Sequence, residues 1–119
     1  MLSIGEFSRI CKVSTKTLRY YAEIGLLAPS EVNLENGYRY YAIEQLETML
    51  LINRLKAYSF SLDEIKTILQ SENMQDDTLQ LAFIRKKKEI EQQIHTYSQI
   101  LTQMEEDISA IEQGRSIMS

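Results

Sequence analysis

KTLRYYAEIGLL, Lys16 to Leu27, opens as a short basic and aromatic helix and closes on a helix stop. Ser14 just ahead of it is a good N-cap, Gly25 suits the left-handed residue that ends a helix, and Pro29 forbids resumption. The spacing predicts a helix of about three turns. On a wheel of 3.6 residues per turn, Leu18, Tyr21 and Ala22 share one face, and Lys16, Arg19, Tyr20 and Glu23 share another. One face packs and the other is displayed.

Upstream, Ser3 to Cys11 reads as a second short helix. Ser3 and Glu6 are spaced as a capping box, and Ile4, Phe7, Ile10 and Cys11 give an apolar face. Lys12 and Val13 form the break between the two helices. Two short helices joined by a tight turn, the second carrying Lys, Arg and Tyr outward, form the pattern of a helix-turn-helix whose second helix enters the DNA major groove.

Downstream of Pro29 the segment SEVNLENGYRYY, Ser30 to Tyr41, changes from helical to extended period, and Asn36-Gly37 supplies a turn tolerant of positive φ. It reads as a β-hairpin. Alternation puts Arg39 and Tyr41 on one side of its second strand and Tyr38 and Tyr40 on the other. A hairpin beside a helix-turn-helix is a wing, and wings meet the sugar-phosphate backbone. Tyr21, Tyr40 and Tyr41 are expected to serve core packing first.

A third helix follows from Ile43 to Tyr58, with Leu46, Met49, Leu50 and Leu55 at helical spacing and Arg54 and Lys56 near its end. Ser61 and Glu64 form another capping box ahead of Leu62, Ile65, Ile68 and Leu69, which outline a fourth helix. Residues 71–76 are a polar linker. Residues 77–113 contain no Gly or Pro, and Phe83, Lys87, Ile90, Ile94, Tyr97, Leu101, Met104, Ile108 and Ile111 are separated by alternating steps of four and three. That is a heptad seam. One helix of this length with one narrow apolar stripe has nothing in its own chain to cover it, so a second copy is expected to pair along Ile90, Ile94, Tyr97, Leu101, Met104, Ile108 and Ile111. Periodicity leaves parallel and antiparallel pairing open. Gly114 reads as the C-terminal stop, and residues 114–119 as a tail or the start of a linker.

The fold class expected is therefore mainly α: a winged helix-turn-helix domain over residues 1–70, followed by a long coiled-coil dimerisation helix. With 119 residues, 44% hydrophobic and 25% charged, the chain falls among folded proteins. It lacks an apolar window long enough to span a bilayer and a signal-peptide core, so a cytoplasmic location is expected. The net charge of −4 divides at residue 60 into +1 before and −5 after, so any contact with phosphates belongs to the N-terminal half. The single cysteine, Cys11, excludes an intramolecular disulfide and a thiolate-rich metal cage within one chain; on its apolar face it reads as a buried small hydrophobe. His95 is expected to face solvent, and no metal or cofactor is expected. Arg85-Lys86-Lys87-Lys88 reads as a solvated helix face offset by Glu89 and Glu91, with a nucleic-acid patch as the alternative. No paired carboxylates, activated nucleophile or metal constellation suggests an enzyme.

SIGEFSRICKVSTKTLRYYAEIGLLAPS, then NGYRYY, then FSLDEIKTIL stand in the order and spacing of the MerR family of bacterial transcription regulators, which this chain resembles closely over about residues 2–70. The long helix resembles the family's dimerisation helix in placement and period only. The resemblance implies a homodimer with a winged helix-turn-helix at each end of an antiparallel coiled coil, binding an inverted repeat in double-stranded promoter DNA. It also implies control of RNA polymerase indirectly, by bending and untwisting the spacer between promoter elements. Carried over by position, Thr15, Lys16, Arg19 and Tyr20 lie in or beside the major groove, Tyr38 and Arg39 of the wing lie on phosphates, and Lys56 is a further phosphate candidate. The cysteines of metal-sensing relatives have no counterpart here, which argues against metal sensing. The family's effector-sensing segment would follow the long helix, so the chain reads either as a minimal regulator or as the DNA-binding part of a longer one responding to a small molecule bound outside it. An adaptor that pairs through its coiled coil and has lost DNA binding is the alternative from another class.

Overall fold

A computed structural model describes residues 1–71 and 76–118. In chain order the elements are β1 (Leu2–Ser3), α1 (Ile4–Cys11), α2 (Thr15–Glu23), β2 (Glu31–Val32), β3 (Arg39–Tyr41), α3 (Gln45–Ala57), α4 (Leu62–Gln70) and α5 (Asp76–Glu112). Two compact units divide the chain, Met1–Leu79 and Gln80–Ser119. Most of the linker expected at residues 71–76 lies outside the described residues. No described helix is long and apolar enough to cross a membrane.

The first unit is built on caps that the sequence announces. Ser3 accepts from the Glu6 N–H while Glu6 accepts from the Ser3 N–H, which closes the capping box of α1; Ser61 and Glu64 do the same for α4. The Ser3 bonds hold the Glu6 carboxyl below the usual carboxylate range. The core comprises Phe7 and Cys11 of α1, Leu18 and Tyr21 of α2, Tyr41 of β3, Met49, Ile52 and Leu55 of α3, and Ile65 of α4. Phe7 and Tyr41 stack with ring centroids 4.3 Å apart and planes inclined by 14°.

Three details differ from the sequence reading. In α3, Ile52 is fully buried and Leu50 is 61% exposed, because polar and apolar residues are spread around α3 and its spacing alone selects no single stripe. Ile10, at the margin of the α1 stripe, is exposed. The hairpin is also joined by a third strand: β3 is central, pairing antiparallel with β1 (Leu2 opposite Tyr41) and with β2 (Val32 opposite Arg39). Its loop is longer than an Asn-Gly turn. The Asn33 side chain accepts from the Glu35 and Asn36 N–H groups, Asn36 accepts from the Tyr38 N–H, and only Gly37 takes positive φ, 73°.

Four helices end in the same way, on a left-handed residue whose successor donates to the carbonyl five residues back. Gly25 and Gly114 do this at α2 and α5, whereas Lys12 (φ 57°) and Ser59 (φ 72°) do it at α1 and α3. A side chain in this conformation costs about 1–2 kcal/mol that glycine avoids, partly offset by glycine's greater freedom when unfolded. Ser59→Gly is therefore expected to raise stability by about 0.5–1 kcal/mol in a urea titration. An unchanged or lowered midpoint would show that the Ser59 side chain contributes more than its backbone costs.

The second unit is the part of α5 from residue 80 onward and the turn after it. α5 has 37 residues and ends on the Gly114 cap. Ile94, Tyr97, Leu101, Met104, Ile108 and Ile111 are each more than half exposed in the single chain, while Ile90 is half-buried. Lys87, expected in the seam, is exposed and sits 3.8 Å from Glu91. Arg85, Lys87 and Lys88 face solvent, but Lys86 is buried and its ammonium pairs with Glu89 at 2.8 Å, so the basic run is not one solvated face. His95 is exposed.

Candidate nucleic-acid interface

The displayed face of α2 arises from its own sequence. Ser14 accepts from the Thr17 N–H at 3.0 Å and donates to the Thr17 hydroxyl at 2.9 Å, so the helix starts with its N-terminal groups held. Leu18 and Tyr21 then go into the core. Lys16, Arg19, Tyr20 and Glu23 are left outside, with Thr15 half-buried at the start.

Two side chains of α3 anchor this arrangement from behind. Asn53 donates to the Cys11 carbonyl at 3.2 Å, satisfying an orphan acceptor at the end of α1. Lys56 donates to the Tyr21 hydroxyl at 2.9 Å with its ammonium 5.6 Å from the centre of that ring. Lys56 as a whole is exposed, so its stem stays at the surface while its ammonium braces α2. Gln45 donates to the Ala28 carbonyl and accepts from the Ala42 N–H, which ties the start of α3 to both ends of the hairpin.

The wing stands beside α2. Tyr38 is 63% exposed, Arg39 and Tyr40 are half-buried, and Tyr41 is fully buried. Between wing and helix lies a cavity of about 370 Å³, bounded by Ser3 and Ile4, by Arg19, and by Gly37 to Tyr40. Two arginines border it and no acidic residue does. Burial pushes the Tyr41 phenol up, an effect that the charges of Arg39 and Arg19 only partly oppose.

Of the seven residues read from sequence as DNA-facing, the cavity brings together Arg19, Tyr38 and Arg39. Lys16 and Tyr20 stand on the open face of α2, and Thr15 and Lys56 do not border the cavity. Ser3, Ile4, Gly37 and Tyr40 complete its wall and were missed. Strand β1 is two residues long, too short to show an alternating pattern, so Ser3 and Ile4 carried no signal beyond their helix cap.

Among the described residues no group of three His, Cys, Asp or Glu side chains is placed to hold a metal ion. Cys11 is buried, and burial pushes its thiol up, away from the reactive thiolate.

Residues 2–72 match the model of the MerR HTH family regulatory proteins, and residues 46–106 match a model described as MerR, DNA binding. The chain is 37% identical over 110 residues to the multidrug-efflux transporter 2 regulator of Bacillus subtilis, covering 92% of this chain and 39% of that protein. The fold is similar to the cryo-EM structure of the EcmrR–DNA complex in EcmrR-RPo, with TM-score 0.79 and 35% identity over 98% of this chain and 41% of that one. It is also similar to the N-terminal part of MtaN, the Bacillus subtilis multidrug transporter activator, with TM-score 0.63 and 30% identity over 85% of this chain and 98% of that one. The chain thus spans about two fifths of the length of the efflux regulator and of EcmrR.

Proposed function

This chain belongs to the MerR helix-turn-helix family of regulatory proteins, and from that premise we propose that it is the promoter-binding part of a transcription regulator. It acts as a homodimer on an inverted repeat in double-stranded DNA. Thr15, Lys16, Arg19 and Tyr20 enter or flank the major groove, Tyr38 and Arg39 hold the backbone, and Lys56 adds a phosphate contact behind α2. The observation that supports this most is the cavity between helix and wing, bordered by Arg19, Tyr38 and Arg39 without an acidic neighbour in its wall.

Functionally the chain divides into a DNA-binding domain over residues 1–70, a linker at 71–76, a dimerisation helix over 77–113 and a terminal segment from 114. RNA polymerase is reached through the DNA, by distortion of the promoter spacer, and the energy of that distortion is repaid by contacts to the deformed shape. A small-molecule effector is bound outside these residues. The protein works in the cytoplasm and catalyses no reaction.

The test is a footprint on the DNA upstream of its own coding region, at near-physiological salt with scrambled competitor. A symmetric protected interval with hyper-reactive central bases is expected. Protection of one unpaired half-site would overturn the dimeric reading, and competitor-sensitive binding everywhere would overturn sequence specificity at this promoter.

A further inference from the structure

Asn53 runs against local preference. It lies inside α3, where asparagine is a poor helix former because its amide competes for nearby backbone groups. Here the amide leaves its own helix, and Nδ2 donates to the Cys11 carbonyl at 3.2 Å across 42 residues of chain. A local preference overridden in this way marks a residue held for its tertiary contact. The receiving segment is the turn between α1 and α2, and it is strained. Lys12 takes φ 57° without being glycine, and the Lys12 and Val13 N–H groups both donate to the Ser8 carbonyl. The Ser8 hydroxyl donates in turn to the Val13 carbonyl. Those bonds close the turn on itself, whereas the Asn53 bond ties it to α3. Three residues along the same face of α3, Lys56 grips the Tyr21 hydroxyl, so α3 holds both the turn and the helix that leaves it. α2 starts three residues after Lys12 and is nine residues long. A tilt of about 5° at the turn moves its far end by about 1 Å, enough to spoil a hydrogen bond to a base edge.

Resting on the DNA-binding reading above, we propose that Asn53 is a positioning residue for sequence readout. Its bond to the Cys11 carbonyl fixes the angle at which α2 leaves the turn, and with it the base edges that Lys16 and Tyr20 meet. Phosphate contacts, which supply affinity for any duplex, do not depend on that angle to the same degree. Asn53 therefore governs selectivity for one sequence over another and not the general affinity for DNA.

The test uses the purified chain, a duplex that it selects from a randomised pool, and a scrambled duplex of the same composition. Asn53→Leu and Asn53→Ala both remove the donor and put a better helix former in its place, so α3 itself is not weakened. In each variant, affinity for the selected duplex is expected to fall by about 10-fold or more, while affinity for the scrambled duplex and its salt dependence stay as in wild type. Amide hydrogen exchange should quicken at Lys12 and Val13 and stay unchanged at the buried Ile68 of α4, whereas a general loss of stability would quicken all three. If circular dichroism shows one variant misfolded, the other is read. Equal loss on both duplexes, or selectivity retained at the wild-type level, overturns the proposal. So does failure of both variants to fold, since the bond would then hold the core together and not set the angle of α2. Wild-type chain that selects no duplex from the pool would overturn the DNA-binding reading itself, a result distinct from any variant pattern.

Discussion

Leu101→Asp is expected to convert the protein from dimer to monomer at micromolar concentration and to abolish binding to an inverted repeat, while leaving the first unit folded. Leu101 is 58% exposed in the single chain, with Tyr97 and Met104 on either side of it in the same seam, at 64% and 55%. Burying one leucine contributes about 1.5–3 kcal/mol, and each dimer would lose two. The aspartates would also have to be desolvated in an apolar seam, at a further cost of several kcal/mol if they stayed charged. Together these terms raise the dissociation constant by at least about 100-fold. Sedimentation equilibrium reads the dimer, and circular dichroism reads the first unit, whose core contains no residue of the seam. A variant that sediments as a dimer would show that α5 is covered through some other face.

The second large effect is at Tyr41, where two substitutions should act in opposite directions. Tyr41→Ala removes a fully buried ring stacked on Phe7, a change that costs about 3–5 kcal/mol. A domain of this size is stable by only about 5–15 kcal/mol, so much of the first unit's margin would go, with a fall in Tm of about 4–8 °C for each kcal/mol. Tyr41→Phe keeps the ring and deletes a hydroxyl that is enclosed without a hydrogen-bond partner. It is expected to be neutral or to stabilise by about 1 kcal/mol. Urea titrations of both variants check the pair; destabilisation of the Phe variant by more than about 1 kcal/mol would mean the hydroxyl is satisfied in solution.

The two tyrosines of the wing show why residue type alone assigns no role. Tyr40 and Tyr41 are adjacent, and the pleat turns them to opposite faces, so one is half-buried at the cavity wall and the other is the stacked centre of the core. Alternation placed Arg39 with Tyr41, on the inward side. That is why its guanidinium is partly enclosed and not free on the surface like Tyr38. Strand β1 could not be foreseen, because two residues carry no period.

Local signals were strong wherever the physics is local. Ser3 with Glu6, Ser61 with Glu64, Ser14 before α2, and Gly25 and Gly114 after α2 and α5 marked helix ends correctly, because a cap is a bond between residues three to five apart. The same stop made by Lys12 and Ser59 carried no compositional mark, since any residue can be forced into the left-handed region when the surrounding packing outweighs the strain. By itself, then, the sequence determined the order of helices, the displayed face of α2 and the heptad seam of α5, all of which depend on spacing along one chain. Only the tertiary structure decided that Asn53 serves the Cys11 carbonyl, that Lys56 braces Tyr21, and that Arg19 and Arg39 border one cavity. Those partners are 20 to 42 residues apart. Bonds at that separation leave no period in the sequence, because what brings the groups together is the packing of the whole core around Phe7, Tyr21 and Tyr41.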